Sequence, residues 1–146
     1  MSVKFSDAID KWTRRSKKRM TAVRRRAIVY LGQELTKTKP RGGRVPLLTG
    51  NLYRSLLASK EGMPNIKTGK FTGDNVGIIA ATIENHEAVW LGYQAVYARR
   101  RNYGFQGADS KGRVYNEIGD YFVENAILEW KNIVARAIKD IKQENQ

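Results

Sequence analysis

A chain of 146 residues is enough for one domain with a modest core, and a chain without cysteine has neither disulfides nor thiolate chemistry. The absence of cysteine fits a reducing compartment or a protein that needs no staples. No apolar run approaches a membrane span of roughly 18–20 residues and no charged-then-apolar leader opens the chain, so a soluble protein kept or assembled in the cytoplasm is expected. The formal net charge of +13 is uneven: residues 1–44 hold 14 Lys/Arg against Asp7, Asp10 and Glu34, and residues 45–146 hold 13 against 11 acids. Such a field favours a polyanion or an acidic protein neighbour without choosing between them.

The first element expected is a helix over 6–36. Ser6 is a suitable N-cap, and Asp7 and Asp10 lie in the first turn, where the helix dipole favours negative charge. Phe5, Ile9, Trp12, Met20, Val23, Ala27 and Leu31 share one arc at 100° per residue, and Arg14, Arg15, Lys18, Arg19, Arg25 and Arg26 share the opposite one. At about 1.5 Å per residue this helix is near 45 Å long. It overhangs a domain of this size, so part of its apolar face is expected to pack on another subunit.

Residues 38–50 read as a basic Gly/Pro loop containing Arg41 and Arg44. Pro46 resists a helix running on from upstream, Thr49-Gly50 offers a side-chain oxygen and a permissive backbone, and Leu52 opens a short element. Residues 55–60 continue as a strand. Gly62, Pro64, Gly69 and Gly73 mark 61–74 as a mobile loop. Residues 76–83, apolar and partly β-branched, read as a strand, with 88–93 returning beside it as an antiparallel partner after the polar turn at 84–87.

Residues 97–103 give one or two helical turns ended by Gly104, and 105–113 read as a loop. From about 116 to 142 a helical pattern returns, its apolar stripe running through Phe122, Ala126, Trp130, Ile133, Val134, Ala137 and Ile141. The expected fold is a single α+β domain: a long N-terminal helix and a C-terminal helix on one face of a three- or four-stranded antiparallel sheet.

Catalysis finds little material. The lone histidine, His86, sits in a polar turn, zinc ligands are too few, and no phosphate-binding glycine fingerprint is present. The expectation is no enzyme, no metal and no cofactor. Nucleic-acid binding is the stronger alternative: the basic arc of the first helix, the 37–44 loop and Arg99, Arg100 and Arg101 could all meet phosphates, with Tyr93, Tyr97 and Tyr103 near enough to stack bases.

The ordered segments Pro46…Thr49-Gly50-x-Leu52-x-x-Ser55, Val89–Gly92, Tyr97-Ala98…Gly104 and Phe122…Ala126 carry a resemblance. The chain resembles the neck and tail-completion (minor tail, head–tail joining) proteins of long-tailed bacteriophages. It departs from them at Asn102, where that family usually has Glu, and in the more basic run Arg99–Arg101. The resemblance implies a non-enzymatic virion protein of the head–tail interface, assembled in the host cytoplasm. It also implies a six-subunit ring contacting tail-terminator, head-closure or other neck proteins, with DNA in the channel touched incidentally. Thr49–Ser55 would be a fold-defining corner, and the basic helix face and the 37–45 and 61–74 loops would be assembly surfaces.

Overall fold

The computed structural model describes residues 4–145. α1 (Phe5–Thr36) packs antiparallel on the C-terminal helix α6 (Trp130–Glu144). Between them in sequence lie α2 (Asn51–Arg54), β1 (Leu56–Ser59), α3 (Val76–Thr82), β2 (Trp90–Tyr93), α4 (Ala98–Tyr103), β3 (Gly104–Ala108), β4 (Val114–Ile118) and α5 (Phe122–Leu128). The α+β class with its long first helix and closing helix is as expected. The sheet is not: it is two separate antiparallel pairs, β1–β2 and β3–β4.

The segment 76–83, expected as a strand, is a helix. Its buried residues Val76, Ala80 and Ile83 recur at i, i+4 and i+7 while Ile78 is exposed, which is a helical period. The Asp74 carboxylate accepts a hydrogen bond from the Val76 N–H at 3.0 Å and helps start the turn. β2 therefore pairs not with that segment but with β1, in the register Leu56↔Tyr93 to Ser59↔Trp90. The free edge of β1 is met by a side chain. Asn75 Oδ1 accepts from the Ala58 N–H at 2.7 Å and its Nδ2 donates to the Ala58 carbonyl at 3.0 Å, where a third strand would pair.

The first part of the expected loop at 105–113 is β3, and the expected helix start at 116 is β4. Val114–Ile118 alternates exposed and half-buried, as a strand does. Tyr121, in the left-handed region with φ 51°, separates that strand from α5, which begins at Phe122. The closing helix is also divided, the backbone tightening to a Glu129 N–H→Ala126 carbonyl turn before α6.

Three buried clusters meet. Ile28 and Leu35 of α1 pack with Leu56, Val76, Ala80 and Ile83. Val45, Leu52, Ala95, Ala98 and Phe122 form the second, and Ala27, Tyr30, Ile133 and Ala137 join α1 to α6. Tyr93 meets Phe122 edge-on at 5.1 Å and links the first two. Burial pushes the Tyr93 hydroxyl far above its ordinary pKa, and it donates to the Leu35 carbonyl at the end of α1.

Candidate assembly surface

Tertiary packing reaches α1 from about Lys17 onward, where Asn85 Nδ2 donates to the Lys17 carbonyl at 3.3 Å. Tyr30 donates its hydroxyl to the Asp140 carboxylate, Arg136 lies 3.9 Å over the Tyr30 ring, and Arg26 pairs with Glu144 at 2.7 Å. α6 ends beside Ala22 of α1, and Asn145 just after it shares a cleft with Arg15 and Lys18, so the residues before Arg15 run past it. From Lys4 to Met20 every residue is exposed except Thr13 and Ser16, which are half-buried. The overhanging part carries Phe5 at 80%, Ile9 at 45% and Trp12 at 69% exposure, on the arc that further along is the core face. A helix stripe that is core for half its length and uncovered for the rest marks a surface awaiting a partner.

The basic residues divide into two groups. Arg24, Arg25 and Arg26 serve the fold. Arg24 donates to the Glu84 carbonyl at 2.6 Å and also to the Glu87 carbonyl, and Arg25 donates to the Ile83 carbonyl at 3.0 Å, closing the end of α3. Arg100 donates to both oxygens of Glu117, and Arg101 pairs with Asp120 at 3.5 Å. Among the described residues, Arg14, Arg15, Lys18, Arg19, Arg41, Arg44 and Arg99 form no ion pair. Of the eleven candidate contact residues, the four that pair internally are Arg25, Arg26, Arg100 and Arg101.

The Pro46–Ser55 segment is a corner. Gly50 has φ 82°, Thr49 Oγ1 accepts from the Asn51 N–H at 3.3 Å, and the buried Ser55 hydroxyl donates to the Leu52 carbonyl at 2.7 Å. Asn51 then holds the 61–74 loop, donating to the Gly69 carbonyl and accepting from the Phe71 N–H. Tyr97 and Arg101 face Thr49 and Gly50 across a cleft of about 480 Å³, so two of the sequence segments singled out lie together. Ala98 is buried behind it and Gly104 closes α4.

Asn102, 3% exposed, does for α5 what an N-cap would: its Oδ1 accepts from the Val123 N–H at 3.0 Å and its Nδ2 donates to the Glu124 carboxylate at 2.9 Å. The hairpin β3–β4 hangs on Arg100 and leaves Val114 and Ile118 exposed on its outer face.

Sequence reasoning missed the groove between α1 and α6, about 840 Å³, where Met20 and Val23 face Trp130, Val134 and Ile138. The signal was present: the α6 apolar stripe is wider than one neighbouring helix covers. Among the described residues no helix is long and apolar enough to cross a membrane, and no cluster of three acidic or histidine side chains converges as metal ligands would. No protein-family model, curated protein or solved structure matches this chain.

Proposed function

We propose that this chain is a structural protein of a bacteriophage neck, acting in tail completion and head–tail joining through protein contacts in a ring. The observation that carries the reading is the projecting N-terminal part of α1, with Phe5, Ile9 and Trp12 on one face and Arg14 on the other. An isolated subunit that leaves an aromatic anchor on a projecting helix has the anatomy of a part made to dock. The resembling segments add to this: the Thr49–Ser55 corner spends its hydroxyls on main-chain groups and serves the fold. Neighbouring subunits of the ring and the tail-terminator or head-closure proteins are the partners proposed.

The second reading, a small basic nucleic-acid-binding protein, is favoured by one observation, the unpaired cations Arg14, Arg15, Lys18 and Arg19. That reading has no use for the aliphatic part of the stripe on the same helix, Ile9. Deleting the gene from the phage that carries it and imaging the lysate separates the two. Complete heads and tails left unjoined support the neck reading. Normal particles, or loss of DNA packaging with no joining defect, count against it.

A further inference from the structure

We infer that the groove between α1 and α6 is the docking site for an amphipathic helix with an acidic outer face, supplied by a different protein. This names the partner of the assembly surface and rests on the reading of α1 given above. The groove has an apolar floor and charged ends. Met20 at 63%, Trp130 at 43% and Ile138 at 38% exposure line a space of about 840 Å³ that runs the length of α6, with Val23 and Val134 beneath them. The α6 residues Ile133, Ala137 and Ile141 are spent on the core, so the neighbouring strip Trp130–Val134–Ile138 is the part left over. α6 has 15 residues. At about 1.5 Å per residue the groove accommodates roughly four turns of helix, and a helix laid in a groove presents anchors at i, i+3/i+4 and i+7.

Charge selects the occupant. Arg19 and Lys142 stand at the groove itself, and Arg15 and Lys18 line the cleft that continues from it around Asn145. None of the four forms an ion pair among the described residues. A second copy of the chain would bring the same cations and a net charge of +13 to the contact. A flat bilayer does not reach a floor lying between two helices, and duplex DNA offers that floor no apolar stripe. An acidic amphipathic helix satisfies both the floor and the rim.

The test titrates the full chain into a fluorescein-labelled synthetic helix of about four turns, leucine on one face and glutamate on the other, read by anisotropy. A lysine-faced counterpart is the control. The glutamate peptide is expected to bind at least about tenfold more tightly than the lysine peptide. Met20→Glu and Ile138→Glu should each abolish that binding while leaving the melting temperature near that of the parent chain. Met20 is exposed enough that its variant remains readable should Ile138→Glu unfold. Equal binding of the two peptides, undiminished binding to both variants, or displacement of the peptide by duplex DNA or anionic vesicles would overturn the inference. So would self-association of the parent chain that both variants abolish. Failure of the peptide with head–tail joining still dependent on the gene removes the groove proposal alone. Peptide binding with joining independent of the gene removes the neck reading alone.

Discussion

Arg100 holds Glu117 from the far side of the β3–β4 hairpin. Its Nε and Nη2 each reach one carboxylate oxygen at 2.7 Å, while its guanidinium lies 4.4 Å from the Phe105 ring centre and 4.8 Å from that of Tyr115. A two-stranded hairpin is marginal by itself, so a planar cation satisfying a carboxylate and two aromatic faces at once is what fixes this one to α4.

The pairing predicts an acid-sensitive hairpin. The Arg100 hydrogen bond holds the Glu117 carboxyl below its ordinary pKa, and backbone N–H donors do the same for Asp109 at the hairpin tip. A depressed folded-state pKa means stability present above the unfolded value and lost as pH falls through the folded one. NMR titration of Arg100→Ala should show Glu117 moving up toward the ordinary carboxylate range, with amide protection lost across 104–118. An unmoved Glu117 would remove Arg100 from this role.

Asn102→Ala should destabilise the chain by about 1–3 kcal/mol, because the half-buried Val123 N–H loses its acceptor and the buried amide is removed. Asn102→Asp should also destabilise, by placing a second carboxylate against Glu124. Chemical denaturation measures both. A stability loss below about 0.5 kcal/mol for Asn102→Ala would show the cap to be dispensable.

Gly50→Ala should cost about 1–2 kcal/mol for a left-handed backbone, and its Cβ would also press on Tyr53 and Arg54. Gly104→Ala should cost more. Its φ of 84° and ψ of −178° fall where only glycine is at ease, and a Cβ there would lie 2.3 Å from the Glu117 carbonyl oxygen. Thermal melts of the two variants should rank them in that order.

The first helix was legible, and the closing one from 122 on though not its division at Glu129, because a 3.6-residue period over many turns is hard to mistake. In 76–83 the spacing of Val76, Ala80 and Ile83 was equally helical, but the β-branched composition of so short a run outweighed it. β3 was illegible for another reason. Its Gly104-Phe105-Gln106-Gly107 reads as a loop, and it is a strand only because β4 and Arg100 meet it. The site was legible in kind through the uncovered stripe of α1. Which arginines belong to it was not: Arg25 finds its acceptor 58 positions away and Arg26 its carboxylate 118 away, distances no local pattern encodes.

The projecting N-terminal part of α1 should matter little to the folded subunit. Ile9→Glu and Trp12→Glu together should shift stability by no more than about 0.5 kcal/mol, since neither side chain joins a buried cluster. A cooperative melt coincident with that of the parent chain is the expected result.

The most direct test of the proposed neck role is to supply that Ile9→Glu/Trp12→Glu chain in place of the parent chain in the particle where the proposal places it, and to count joined heads and tails by electron microscopy. Folded protein with heads and tails left apart is the predicted result. Joined, infectious particles at the parental level would contradict the claim that α1 is the surface by which this subunit enters its assembly.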